Sequence, residues 1–150
     1  MAEQQAVFKW QYYDSGCVDK KPLPFDFKLK SWKSCQVPFI VELDGVQHFV
    51  VDRCRSVNEF EVGRKHDLIK MRWALGHGLP VVRLTSRAIT YFNSSTWQCW
   101  LQRVVTKHIS GMGAERRLIV LEDTARYHQM YAECLRDDTE LGPFVVFEPL

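Results

Sequence analysis

The chain has 150 residues, the size of one ordinary domain, with 46% hydrophobic and 25% charged residues, a balance typical of a globular core. Its formal net charge is +2, too small to argue for a nucleic-acid partner by itself. No apolar run approaches the roughly 20 residues needed to span a bilayer, and the polar, aromatic start MAEQQAVFKWQYYDSG is unlike a signal peptide. The five cysteines (Cys17, Cys35, Cys54, Cys99 and Cys134) form no C-x-x-C pair and are odd in number. That argues against a disulfide framework or zinc knuckle and predicts an intracellular protein, of cytoplasm or nucleus, with no membrane association.

Residues 1–21 mix Phe8, Trp10, Tyr12 and Tyr13 with polar residues, as a short strand or an aromatic arm would. In PLPFDFKLKSW, Phe25, Phe27 and Leu29 alternate with Asp26, Lys28 and Lys30. This period of two predicts a half-buried strand with Asp26 on the face opposite the phenylalanines. PFIVELDGVQHF, residues 38–49, follows as a second strand. Its Glu42 and Asp44 are two apart and therefore share a face. The two strands are expected to pair antiparallel, which brings Asp26 near both carboxylates.

From Val57 to Gly76 the pattern is helical, with Leu68, Ile69, Trp73 and Leu75 as the apolar stripe. Lys65, Asp67, Lys70 and Arg72 form the expected polar face. Gly76 and Gly78 are candidate caps and Pro80 stops continuation. LPVVRLTS reads as a strand placed beside the acidic one. Thr96–Ser110 is a second helix, whose Trp97 and Trp100 read as core rather than as a base-stacking platform. RLIVLED, TARYHQMYAECLRDD and PFVVFEPL then read as strand, helix and strand. The expectation is one α/β domain over 1–150, a mixed central sheet flanked by helices. Its core covers about 22–110, and 111–150 form a C-terminal β-α-β extension that adds a layer or a contact between copies.

Two carboxylates at the end of an apolar strand repel each other and lose hydration, and a divalent cation compensates both. Asp26, Glu42 and Asp44 are the candidate ligands of Mg²⁺ or Mn²⁺, which can polarise a phosphodiester and generate hydroxide. A nearby lysine or histidine orients the water or neutralises developing charge. Against this stand plainer roles. An acidic residue on a strand can simply be solvated, LDG can be a hairpin turn, and Arg83 can be a partner of Asp67 or Glu42.

LPFDFKL, FIVELDGVQHF and RKHDLIKMRWALGHGLPVVRLT together resemble the PD-(D/E)xK nuclease superfamily over roughly residues 22–90. The pattern is closest to its small branch with an E-x-D-G-x-Q-H signature, which includes phage, viral, patch-repair and homing endonucleases. The resemblance implies a restriction-endonuclease-like core, a divalent metal and hydrolysis of DNA rather than RNA. Asp26 matches the first acidic ligand and Glu42 the second. Asp44 stands where the superfamily's usual lysine would be, a departure that the branch shares. Gln47 and His48 match its Q-H pair, Asp67 and Lys70 its helical D-x-x-K, and Arg83 the arginine of the last core strand. The implied catalytic set is Asp26, Glu42, Asp44, Gln47, His48 and Lys70, with Lys70 as charge stabiliser and His48 as base or phosphate contact. Lys28, Lys30, Lys33, Lys65 and Arg83 are the implied nucleic-acid contacts. A catalytically inactive nuclease-like fold, used for nucleic-acid binding or protein interaction, is the competing reading. Cleavage of both strands requires a homodimer or successive nicks, with PFVVFEPL as a candidate dimer edge.

Overall fold

The computed structural model describes residues 7–33, 35–45, 56–86, 94–110, 117–122 and 126–149. These form a six-stranded mixed sheet with strands in sequence order and three α-helices. The strands are β1 (Val7–Val18), β2 (Pro22–Ser31), β3 (Phe39–Asp44), β4 (Val81–Thr85), β5 (Leu118–Glu122) and β6 (Val145–Pro149). The helices are α1 (Val57–Gly76), α2 (Ser94–His108) and α3 (Arg126–Asp137). β1, β2 and β3 pair antiparallel, whereas β3, β4, β5 and β6 run parallel. No described helix is long and apolar enough to cross a membrane.

The N-terminal segment is a full strand of 12 residues at one edge of the sheet. The C-terminal segment continues the same sheet rather than adding a layer, and β6 is its other edge. Met71, Ala74 and Leu75 of α1 and Leu135 of α3 pack with Ile40, Val81, Leu118 and Val120 on one face. Trp100, Leu101, Val104, Val105 and Ile109 cover Phe39, Val41, Val82, Leu84, Ile119 and Leu121 on the other. The β4–β5 connection therefore crosses opposite to its neighbours, so its hand differs from that of the α1 and α3 crossovers.

Sequence signals explain α1 closely. Ser56 accepts from the Glu59 amide while Glu59 caps Ser56 in return, and the helix stops before Gly78, whose φ of +73° suits glycine. The inner stripe of α1 is Asp67, Met71, Ala74 and Leu75. Asp67, expected on the polar face, thus points into the protein. It does so because the middle of α1 lies against the charged end of the sheet, where Asp67 meets Arg83.

The expected alternation of β2 breaks at Asp26. Leu23 and Phe25 join the α1-side core, yet Phe27 and Leu29 pack with the α2-side core. A two-residue step should preserve the face. The break recurs on β1, where Trp10 pairs with Phe27 and Tyr12 with Phe25, around Gln11 at φ +46°. Both strands change facing together at this point.

Candidate active site

That break positions the acidic residues. Regular β2–β3 pairing covers Phe27–Leu29 against Phe39–Val41 and goes no further. Beyond it, each strand meets a carboxylate of the other. The Asp26 carboxylate accepts from the Leu43 amide at 2.8 Å, and the Asp26 amide donates to Glu42 Oε2 at 3.4 Å. Asp26 is held in the widening gap between the strands as a consequence.

Glu42 is 4% exposed. The Lys70 ammonium on α1 lies 2.6 Å from its Oε1 as a close ion pair. Burial pushes the Glu42 carboxyl up to about 7, against the pull of Lys70 and then Arg83. Lys70 also lies 5.4 Å above the Phe25 ring, which fixes its stem over the strand break. The neighbouring Cys17 is fully buried, and burial pushes its thiol up to about 11, so it is packing rather than a nucleophile.

Asp44 emerges on the same face as Glu42 and meets a different cation. Arg83 grips it with two N–H groups, the Nε contact measuring 2.8 Å, and Arg83 Nη2 is 3.4 Å from Asp67 Oδ1. Arg83, Asp44 and Asp67 are all buried. Adjacent registry of Glu42 with Arg83 and of Asp44 with Thr85 on parallel strands makes this grouping possible.

Four carboxylates (Asp26, Glu42, Asp44, Asp67) and two cations (Lys70, Arg83) thus meet at one end of the sheet. With all ionised, four minus two leaves two negative charges among the described residues. The donor set fits a divalent ion. Mg²⁺ needs only one or two protein carboxylates beside water and phosphate oxygens, and Glu42 Oε1 faces the Lys70 ammonium at 2.6 Å, a cation that a metal would share or displace. No cluster of three or more His, Cys, Asp or Glu side chains is arranged as a ready cage among the described residues. Asp26 and Glu42 are accordingly the pair suited to the metal, since the Asp44 oxygens face Arg83.

Gln47 and His48 lie outside the described residues. Among the basic residues, Lys65 pairs with Asp19 at 3.2 Å, and Lys28 sits over the Tyr12 ring at 4.4 Å. Lys30 and Lys33 are exposed, whereas Arg83 is 1% exposed and held by carboxylates, so it orders the site instead of presenting a surface charge. The pairing of Arg83 with Asp67 is the plainer role read for Arg83 from the sequence, whereas its two-pronged grip on Asp44 was not legible there. A second buried ionic group escaped sequence reasoning: Glu148 with Lys107 and His108, and Arg117 behind His108. Its signals are a lone acid in the apolar strand PFVVFEPL and a Lys-His pair ending a helix.

Searches against protein-family models, curated proteins and solved structures return no match.

Proposed function

We propose that this chain is a metal-dependent DNA endonuclease of the PD-(D/E)xK type, built on a restriction-endonuclease-like core. One observation carries the reading. Among the described residues, the carboxylates of Asp26, Glu42, Asp44 and Asp67 gather with Lys70 and Arg83 at the break between β2 and β3, where the Asp26 amide reaches Glu42. Asp26 and Glu42 would hold Mg²⁺ or Mn²⁺. A bound divalent ion supplies Lewis-acid polarisation of the phosphodiester and a water acidified toward neutrality. The residues of the chain do the rest. Glu42 must be ionised to hold the ion, and Lys70 favours that form against the opposing effect of burial while offering positive charge to the phosphate in transit. Arg83 clamps Asp44 and Asp67, which fixes the end of β3 against α1. His48 is assigned as base or phosphate contact and Gln47 as its companion on the resemblance alone. One such site per chain cuts one strand at a time, so double-strand cleavage calls for two copies or two nicks.

Plasmid nicking with Mg²⁺ or Mn²⁺ tests this. Wild-type protein is expected to nick, and Glu42→Ala and Asp26→Ala to leave only background. Activity surviving Glu42→Ala overturns the assignment. A second reading, a nuclease-like module that binds without turnover, draws support from the same ion pairs: Lys70 and Arg83 already neutralise half of the acids. Calorimetry with Mn²⁺ separates the two. Binding heat that disappears in Glu42→Ala favours the enzyme, and absence of binding heat favours the module.

A further inference from the structure

The face of the sheet opposite Glu42 carries a groove of about 540 Å³ between the turn after β2 and the outer side of α2. Its cations are Lys33, Arg103 and Lys107, and Gln98, Gln102 and Thr106 supply polar groups between them. No carboxylate lines it among the described residues. Gln98, Gln102 and Thr106 follow at a spacing of four, a single helical stripe, and the Gln102 amide donates to Thr106 at 3.1 Å. Lys107 touches Glu148 yet remains 60% exposed, and Arg103 uses one N–H on the Pro149 carbonyl, leaving its other donors for a ligand. A row of cations with interspersed uncharged donors suits an anionic chain rather than a single small anion.

The same face identifies the kind of chain. Trp10 is 66% and Tyr13 54% exposed. At a spacing of three on a regular strand they would point to opposite sides. Trp10 pairs with Phe27, whose ring packs with the α2-side core, and Tyr13 pairs with Pro24, next to the inward Phe25. The change of facing at Gln11 therefore puts both rings on the α2 side. From Phe27 to Lys33 the chain advances roughly 20 Å, a distance that an extended strand of nucleotides can follow. Exposed aromatic rings on the same face as a cationic track, within the reach of one oligonucleotide, are the elements of sequence-tolerant single-strand binding.

We propose that this groove binds the sugar–phosphate backbone of a single-stranded nucleic acid, with Trp10 and Tyr13 stacking on its bases. This site is separate from the carboxylates, so it is tested in EDTA, where loss of cleavage cannot register as loss of binding. Fluorescence anisotropy with a labelled oligodeoxynucleotide is the measurement. Lys33→Gln/Arg103→Gln/Lys107→Gln is expected to weaken binding at least about tenfold and to lower the slope of log K against log salt by about 2. Because Arg103 and Lys107 also hold the C-terminal strand, Lys33→Gln/Gln98→Glu, at two exposed positions, is the companion. It should weaken binding in the same direction with an unchanged melting temperature. Trp10→Ala should cost roughly tenfold on a normal oligonucleotide and nothing on an abasic one. Affinity and salt slope within twofold of wild type in both groove variants overturn the proposal. Equal losses on duplex and single strand overturn the single-strand assignment, and equal loss on the abasic strand with Trp10→Ala overturns the stacking.

Discussion

Two groups of buried ionisable side chains sit on opposite faces of this sheet, and their charge balance differs. Among the described residues of the α1 face, Asp26, Glu42, Asp44 and Asp67 outnumber Lys70 and Arg83. On the α2 face, the single carboxylate of Glu148 meets Lys107 at 2.8 Å and His108 at 2.7 Å, and Arg117 donates to His108 Nδ1 at 2.8 Å. A guanidinium only donates, so Nδ1 must accept and Nε2 carries the proton given to Glu148. The second group is complete: its hydrogen bonds to Lys107 and His108 hold the Glu148 carboxyl below its usual range. In the first, burial holds Glu42 well above its usual range. Burial of charge is common to both. Among the described residues, the first group holds more acids than cations and contains the strongly raised Glu42, which marks it as the candidate for chemistry.

The contrast can be broken first at Arg83. Arg83→Ala removes the guanidinium from two buried carboxylates and is expected to destabilise the fold by about 3–5 kcal/mol in urea denaturation. A loss below about 1 kcal/mol would mean that Asp44 and Asp67 are satisfied without it.

The pH dependence of stability should have opposite signs in the two groups. In the folded protein Glu42, facing Lys70, Arg83 and Asp26, keeps its proton to about 7, while the unfolded chain releases it near 4.5. Between those values the folded state binds more protons, so this contribution falls as pH rises, by on the order of 3 kcal/mol at most. Melting of metal-stripped protein should show this decline, Glu42→Gln should flatten it, and added Mn²⁺ should oppose it. Glu148 behaves inversely. Its stabilisation is present above its unfolded pKa and is lost as pH falls through the lower folded value. A Glu42→Gln profile identical to that of wild type removes the distinction between the groups.

Lys70→Ala sharpens the comparison on the functional side, with nicking expected to drop about a hundredfold while metal binding persists. The smallest effect is at the complete group. Lys107 is mostly exposed, and Lys107→Ala should change stability by no more than about 1 kcal/mol.

Much of this arrangement was legible in the chain. Helix α1 follows from its capping box, Gly78 and Pro80, and the α2 core stripe of Trp100, Leu101, Val104, Val105 and Ile109 follows from its period. Strand alternation places Glu42 and Asp44 on one face, and antiparallel pairing brings Asp26 beside Glu42. These features depend on local backbone geometry, which near neighbours in sequence dictate. Which cation each acid meets depends instead on strand order and helix placement. Parallel registry of β3 with β4 sends Arg83 to Asp44, and the placement of α1 on this face brings Lys70 to Glu42 and Asp67 to Arg83. The change of facing at Gln11 and Asp26 also lies beyond a period-two reading, because it arises between two strands at once. The sequence by itself therefore determined the elements and the acidic strand. The tertiary structure decided that Asp26 fills a break in the ladder and that Glu42 is buried against Lys70, since burial and charge balance are properties of assembled elements.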